Sequence, residues 1–365
     1  MYVKSLELKN YRNYESLSLE FKNGTNILYG DNAQGKTNAL ESIYMCCTSK
    51  SHRGNKDKEV IKFGEEEGHI KLIIMKEEVP YRIDMHLKSY KNKGVAVNGI
   101  PLKKLTELFG VGNVVFFSPE DLSIIKNGPA ERRKFIDSEL CQSDKVYAYN
   151  LSSYLKVLMQ KNKLLKDLKY SRDNSLYETL DIWDLQLSEY GSKIIERRSL
   201  FINDINEIIY DIHKSITGGI EDLKVKYEPN IKGNNLYEEL VKNREKDILY
   251  KTTSVGPHRD DISFYVGNMD LRKYGSQGQQ RTAALSLKLS EIEFVKKVIK
   301  DVPILLLDDV LSELDSKRQK QLLNSIKDVQ TIITCTGLDE FIENRFNIDN
   351  IYKISDGKVV ESNNF

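Results

Sequence analysis

The stretch from Gly30 to Thr37 has the residue types and spacing of a phosphate-binding loop. It fits the pattern G-x-x-x-x-G-K-[S/T], in which Gly30 and Gly35 let the backbone turn sharply and present several N–H groups to one anion. Lys36 is expected to reach the β- and γ-phosphates of a nucleotide, and the Thr37 hydroxyl to be a magnesium ligand. The predicted nucleotide-contacting residues of the loop are Gly30, Asp31, Asn32, Ala33, Gln34, Gly35, Lys36 and Thr37.

Two carboxylates follow an apolar run near the other end of the chain. Residues 304–307 are Ile-Leu-Leu-Leu, which predicts a parallel strand buried on both faces. Asp308 and Asp309 then lie at the carboxyl edge of the sheet, where ligands bind in open α/β folds. Asp308 is predicted to hold magnesium together with Thr37, and Asp309 to act with Lys36 as a catalytic residue that orients or activates water. Without a phosphate loop elsewhere, such a pair would often be a helix N-cap, so the loop favours the nucleotide interpretation.

A third stretch, residues 276–279, reads Ser-Gln-Gly-Gln and opens an amphipathic helix. A Ser- and Gly-containing turn at a helix N-terminus is a second geometry that binds anions. Taken alone, the stretch predicts only an N-cap in which Ser276 supplies the capping hydroxyl.

The surrounding pattern predicts the elements that position these residues. A strand at 26–29 enters the loop and a helix follows it, while 70–74, 81–87 and 95–97 alternate like antiparallel strands, with a turn at Asn98-Gly99. Residues 132–168 and 176–216 are two long helix-periodic runs, the second interrupted only by Gly191. Further strands are predicted at 3–8, 17–21, 262–266, 331–334, 351–354 and 358–360.

Composition narrows the class of protein. The 365 residues carry 55 Lys+Arg against 54 Asp+Glu, so nucleic-acid binding must come from local clusters of positive charge. The four cysteines form no C-x-x-C pair, which argues against a structural zinc site. No signal core and no membrane-spanning apolar run is present, so we expect a cytoplasmic protein without a membrane partner.

Two basic stretches, residues 50–58 and 156–172, carry such local clusters. Basic segments of this kind are usually solvated surface. The alternative is that they face DNA, because phosphate-backbone binding requires local positive charge when the net charge is near zero.

The order of the motifs resembles the ABC-type ATPase heads of the SMC group. Residues 276–279 then correspond to the signature motif, 304–309 to the Walker B strand and 312–315, Ser-Glu-Leu-Asp, to the D-loop. Within that group, residues 119–137 and the Gly-Pro-His-Arg-Asp-Asp stretch at 256–261 are similar to the bacterial RecF family. The resemblance covers nearly the whole chain, from residues 8–14 to the D-loop.

The resemblance implies an α/β fold, an ABC/SMC-type P-loop ATPase head with an inserted α-helical arm. The expected domains are residues 1–125 for the N-terminal half of the head, 126–245 for the helical arm, and 246–365 for the C-terminal half.

It also implies a weak, DNA-stimulated ATPase that uses ATP and Mg²⁺ and forms an ATP-dependent homodimer. In such dimers each ATP lies between the phosphate loop of one chain and the signature helix of the other, here Ser276, Gln277, Gly278 and Gln279. Arg12 is a candidate nucleotide or DNA contact, with a structural surface ion pair as the alternative.

The resemblance further implies a protein that binds double-stranded and gapped or junction DNA and works with RecR and RecO to load the recombinase RecA. Two departures qualify the resemblance: Asp309 replaces the usual Glu, which implies slow hydrolysis, and Thr334-Cys335-Thr336 replaces a switch His. Glu120 is a candidate for the region of the missing Q-loop glutamine, whereas His258 and Asp261 are left out of the active site.

The competing interpretations are an SMC-like clamp with little catalysis and the nucleotide-binding subunit of a transporter.

Overall fold

The two ends of the chain fold together. In this computed structural model, unit 1 comprises Met1–Leu122 and Ala284–Phe365, and unit 2 comprises Ser123–Ala283. The structure describes residues 1–54, 56–169, 174–231, 235–338 and 347–364. The first predicted domain boundary, after residue 125, lies close to this division. The second, after residue 245, differs from it, because residues 246–283 belong to unit 2.

The described residues form the following elements. The strands are β1 (Tyr2–Tyr11), β2 (Tyr14–Glu20), β3 (Thr25–Tyr29), β4 (Glu67–Lys76), β5 (Val79–Lys88), β6 (Gly94–Val97), β7 (Ile100–Pro101), β8 (Val114–Phe117), β9 (Leu223–Glu228), β10 (Asp261–Val266), β11 (Met269–Asp270), β12 (Ile304–Asp308), β13 (Thr331–Cys335), β14 (Asn350–Ser355) and β15 (Lys358–Asn364). The helices are α1 (Lys36–Thr48), α2 (Pro129–Ser143), α3 (Lys145–Leu168), α4 (Asn174–Thr217), α5 (Leu236–Lys242), α6 (Arg244–Tyr250), α7 (Leu271–Tyr274), α8 (Gln277–Ile299) and α9 (Ser316–Ser325). Within these described helices, no segment combines the length and the apolar character that crossing a membrane requires.

Unit 1 contains an antiparallel sheet in the order β2-β1-β4-β5-β6-β7. The predicted turn between β6 and β7 is present, and both of its central residues have positive φ, 51° at Asn98 and 81° at Gly99. These dihedrals belong to the two-residue turn that matches the twist of a hairpin. The alternating apolar residues of this sheet form one hydrophobic core with α1 and with strands of the second sheet.

The second sheet of unit 1 has the order β15-β14-β3-β13-β12-β8 and is parallel except for β15. Residues 304–307 of β12 are all buried, as their unbroken apolar run predicts. Strands β3, β12 and β13 are adjacent and parallel, so their carboxyl ends meet at one edge. This edge carries the phosphate loop after β3 and the two carboxylates at the end of β12.

Unit 2 is mainly helical, with a three-stranded sheet in the order β11-β10-β9. The predicted helix over 132–168 is interrupted at Asp144, whose side chain accepts hydrogen bonds from the N–H groups of Val146 and Tyr147 and caps α3. Helix α4 continues through Gly191, where an added Cβ would lie 2.5 Å from Leu236. Strand β9 was not predicted, and its pairing with β10 explains why the strands after residue 245 belong to this unit.

Candidate nucleotide-binding site

The loop between β3 and α1 has the backbone that its glycines predict. Gly30 has φ 148° and Gly35 has φ 113°, values that L side chains rarely adopt. A Cβ at Gly30 would lie 2.3 Å from the carbonyl oxygen of Ile354, and one at Gly35 would lie 2.6 Å from the Asn13 amide. Gly30 therefore requires glycine for conformation and for space, and Gly35 requires it for conformation.

Side chains from the β1–β2 turn hold the loop in place. The Nδ2 of Asn13 donates to the carbonyl of Gln34 over 2.9 Å, and the Tyr14 hydroxyl donates to the carbonyl of Gly35 over 2.9 Å. From the other side, the N–H of Asp356 donates to the Gln34 side chain over 2.6 Å. Sequence reasoning gave Asn13 and Tyr14 no role, although both belong to the stretch 8–14 that carried the resemblance.

Lys36 is buried at the start of α1. Its Nζ donates to the carbonyls of Gly30 at 2.6 Å and Asp31 at 2.8 Å, so the ammonium lies against the inner surface of the loop. Burial lowers the pKa of Lys36, while the carboxylates of Asp309 and Asp308 oppose this change. The side chain places one positive charge where the pattern predicts phosphate oxygens.

Thr37 and Asp308 are brought into direct contact. The Thr37 hydroxyl donates to Oδ1 of Asp308 over 2.7 Å, and the Thr334 hydroxyl donates to the same oxygen over 2.7 Å. Hydroxyl and carboxylate oxygens are the ligands that Mg²⁺ prefers, so this pair fits the ion predicted for it. Thr334 is a site residue whose role sequence reasoning missed, because only the pairing of β12 with β13 reveals it.

Asp309 is half-buried beside this pair and has φ 54°. Its N–H donates to the Thr334 hydroxyl at 3.0 Å and to the Thr334 carbonyl at 3.2 Å. Burial raises the pKa of the Asp309 carboxyl; Lys36 lowers it and Asp308 raises it further. A carboxylate whose pKa is raised is a better proton acceptor, which suits the predicted role of Asp309.

Arg12, in the turn between β1 and β2, forms an ion pair with Glu41 on α1. Its Nε and one terminal nitrogen donate to the two carboxylate oxygens of Glu41 at 2.8 and 2.7 Å, and the other terminal nitrogen donates to the carbonyl of Glu59 at 3.0 Å. Glu41 is fully buried. These contacts correspond to the structural alternative for Arg12, with the difference that its partner is buried.

Ser276 caps helix α8 in unit 2. The Gln279 N–H donates to the Ser276 hydroxyl at 3.2 Å, and the Ser276 N–H donates to the Gln279 side chain at 3.0 Å, a reciprocal capping box. The N-cap that the sequence predicts is therefore present. Ser276 and Gln277 are exposed, and Gly278 and Gln279 are half-buried, so this helix N-terminus is accessible to a ligand.

The structure also shows the environments of four residues to which the sequence analysis gave no definite role: Glu120, Thr336, His258 and Asp261. Glu120 is exposed in a 3-10 turn, and Thr336 is exposed after β13. In unit 2, Nδ1 of His258 accepts from the Tyr154 hydroxyl at 2.6 Å, and Nε2 lies 2.9 Å from the carbonyl of Thr253. Asp261 forms an ion pair with the buried Arg132 at 2.6 Å. His258 and Asp261 thus belong to packing networks within unit 2.

Comparison with known proteins agrees with this arrangement. The RecF/RecN/SMC N-terminal domain pattern matches residues 2–359. The DNA replication and repair protein RecF of Lachnospira eligens is 64% identical over 363 residues, covering 100% of both chains. The protein of the same name from Agathobacter rectalis is 60% identical, covering 98% of this chain and 99% of its own.

Solved structures show the same fold. A structure of the recombination mediator protein RecF-ATP in the RecFOR pathway has a TM-score of 0.89 and 36% identity, covering 100% of this chain and 97% of its own. An Smc head domain from Pyrococcus furiosus has a TM-score of 0.57 at 17% identity, covering 100% and 96%, and is similar in fold alone.

The fold and the site together define a P-loop ATPase head of the SMC group. The predicted fold class is therefore confirmed. The prediction did not include the small sheet of unit 2. The chain belongs to the RecF/RecN/SMC N-terminal domain family and, within it, to the RecF proteins. The predicted resemblance to RecF is confirmed.

Proposed function

We propose that this protein is an ATP-dependent DNA-binding protein of recombinational DNA repair, and that two copies dimerise around ATP and hydrolyse it slowly. The observation that carries the proposal is the 2.7 Å contact between the Thr37 hydroxyl and Asp308, with Lys36 and Asp309 beside it. The RecF proteins that are 60–64% identical to this chain, and the structure of a RecF-ATP complex, support it.

Each residue of the site has a role in this proposal. Lys36 and the N–H groups at the start of α1 bind the phosphates, and the oxygens of Thr37 and Asp308 hold Mg²⁺. Magnesium supplies charge neutralisation of the phosphate oxygens when it is bound. Asp309 orients the attacking water and accepts its proton. Its carboxylate is one methylene shorter than the Glu usual in ABC-type heads, which is why slow hydrolysis is expected.

Dimerisation uses the N-terminus of α8. Ser276 and Gln277 are exposed, so the Ser276 hydroxyl and the positive end of the helix dipole face solvent, where the ATP of a second copy can reach them. ATP then contributes charge-assisted contacts to both chains, and loss of the γ-phosphate removes them.

The DNA in question is double-stranded DNA, including gapped and junction DNA. The partners of the pathway are RecR, RecO and the recombinase RecA, and the location is the cytoplasm. Support for this part comes from the family and from the exposed basic side chains Lys50, Arg53, Lys56 and Lys58.

DNA binding measured across salt concentrations, with and without ATP, tests the proposal. ATP is expected to raise the affinity for gapped duplex DNA, and affinity is expected to fall linearly on a log–log plot against salt, because phosphate contacts release counterions. No ATP effect on DNA binding would contradict the proposal. Normal DNA binding without turnover under any condition would favour a structural clamp, and co-purification with a membrane protein would favour a transporter subunit.

A further inference from the structure

Glu41 is a buried carboxylate on the helix that follows the phosphate loop. It accepts hydrogen bonds from the Arg12 guanidinium at 2.8 and 2.7 Å, from the Tyr11 hydroxyl at 3.1 Å and from the Ser51 hydroxyl at 2.5 Å. A buried charge is costly unless it is paired and hydrogen-bonded, and these donors meet that requirement. Although burial raises it, the bonds from Arg12 and Ser51 hold the pKa of Glu41 below its ordinary value.

One of these donors, Ser51, belongs to a segment that is rich in exposed basic side chains. We define the basic segment as residues 50–54 and 56–58. Its inner side is anchored: Ser51 is buried on Glu41, His52 stacks on Phe116 with ring centroids 4.0 Å apart, and the Arg53 N–H donates to the Ser51 hydroxyl at 3.1 Å. Its outer side carries the exposed cationic side chains Lys50, Arg53, Lys56 and Lys58.

A second set of contacts connects this segment to the phosphate loop. An Arg53 terminal nitrogen lies 3.5 Å from Oδ1 of Asn38 on α1, and Nδ2 of Asn38 donates to Asn13 at 2.8 Å. Asn13 in turn donates to the carbonyl of Gln34 within the loop at 2.9 Å. Glu41 therefore holds the segment through Ser51 and, through Arg12, the turn whose next residue, Asn13, contacts the loop. Asn38 connects Asn13 to Arg53 of the segment.

We propose that Glu41 is a positioning residue that links the phosphate loop to the basic segment, so that ATP in the loop and DNA phosphates on the segment each strengthen the binding of the other. The inference rests on the proposed function and specifies where in unit 1 the two ligands are coupled. The exposed cations of the segment suit DNA phosphates as ligands. Because the net charge of the chain is only +1, DNA binding requires a local cluster of positive side chains such as this one. Coupling between two ligands is reciprocal, so either affinity reports it.

Ser51→Ala is the sharpest test, because it removes one hydrogen bond to Glu41 and leaves the Arg12 ion pair intact. ATP affinity is measured by titration of the full-length protein, with and without saturating gapped duplex DNA. In the wild type, DNA is expected to lower the Kd for ATP by about 5-fold or more, the range usual for coupled sites. In Ser51→Ala, we expect the Kd without DNA to stay within about 2-fold of wild type and the DNA effect to fall below about 2-fold.

Lys93→Ala is the matched control. The Lys93 ammonium holds the segment from its other side, donating to the Ser49 carbonyl and to Asp57 at 2.7 Å, without touching Glu41. The DNA effect should persist in this variant. Glu41→Gln, which keeps the shape and removes the charge, should lose the DNA effect as Ser51→Ala does.

The outcomes separate the two levels of the proposal. If DNA leaves the ATP affinity of the wild type unchanged, the proposed function is contradicted. If the wild type responds and Ser51→Ala responds equally, or if Lys93→Ala loses the response as fully as Ser51→Ala, only the role of Glu41 is overturned.

Discussion

The Thr37 hydroxyl donates a hydrogen bond to Asp308 over 2.7 Å, although 271 positions separate the two residues in the chain. Parallel pairing of β13 with both β3 and β12 produces this contact, because it places the carboxyl ends of these strands at one edge. The proposed magnesium site takes one residue from each end of the chain, so it is complete only when the two ends have folded together.

Replacement of Lys36 by Met should abolish ATP binding. The ammonium supplies the positive charge inside the loop, and charge-assisted hydrogen bonds are worth about 1.5–3 kcal/mol each, so losing two corresponds to about a hundredfold or greater loss of affinity. Titration with a fluorescent ATP analogue measures this loss. Lys320→Met, at an exposed position on α9, should bind normally, and equal binding by both variants would contradict the role of Lys36.

Replacement of Asp309 by Asn should slow hydrolysis by about 100-fold and retain ATP binding, since a general base contributes about 10²–10⁴-fold. The ATP dimer should persist for longer than in the wild type. Because the pKa of Asp309 is raised by burial, the wild-type rate should fall as pH decreases through a value above the ordinary Asp pKa of about 3.9. Turnover measured from pH 8 downwards tests this, and the variant should lack that acid limb.

Thr334→Val should slow hydrolysis by about 30-fold through Asp308 and Asp309, since the hydroxyl bonds to both and each such bond is worth about 1 kcal/mol. Thr334→Ser keeps the hydroxyl and is expected to restore most of the rate. Steady-state turnover at saturating ATP measures the difference. Equal rates for Val and Ser would show that the hydroxyl is not used.

Ser276→Arg should leave ATP binding nearly intact and block the ATP-dependent dimer. The added side chain occupies the exposed N-terminus of α8, where the second copy's ATP is proposed to bind. Sedimentation velocity with ATP measures the dimer. Tyr274→Arg adds the same charge at a position that is 73% exposed, before the signature residues, and should dimerise. If Ser276→Arg formed a normal ATP-dependent dimer, the assignment of residues 276–279 as the signature motif would be contradicted.

His258 should make the stability of the protein sensitive to acid. Burial lowers its pKa to about 4, from about 6.5 in the unfolded chain, so the folded state favours the neutral ring. This contribution is complete above pH 6.5 and is lost as pH falls towards 4, by on the order of 3 kcal/mol. Thermal unfolding of the wild type and of His258→Gln should differ in slope across this window, and parallel curves would contradict the assignment.

Local chemistry explains which features the sequence predicted. The loop depends on the dihedrals of Gly30 and Gly35, and the buried strand β12 on an unbroken apolar run, so both can be recognised without knowledge of distant residues. The capping box at Ser276 and Gln279 is equally local.

The features that were missed depend on partners far along the chain. The identity of Glu41 as the buried partner of Arg12 and the hydrogen bonds of Thr334 appear only after the strands and α1 have packed. Strand β9 alternates in polarity over 223–228, a signal that was available, but it follows a long helical run and pairs with β10 more than 30 positions later. Asp144 ended a helix that periodicity alone would continue, because the side chain competes for the backbone N–H groups of the next turn.

The position of β3 between β14 and β13 has a consequence for biosynthesis. A ribosome adds about 5–20 residues per second, so an emerging chain waits roughly 15 to 60 s between releasing β3 and completing β13. During that interval β3 has neither of its neighbours, whereas unit 2 has all of its residues once Ala283 is made, before β13 is translated. We expect unit 2 to fold during synthesis before the ATP pocket is complete.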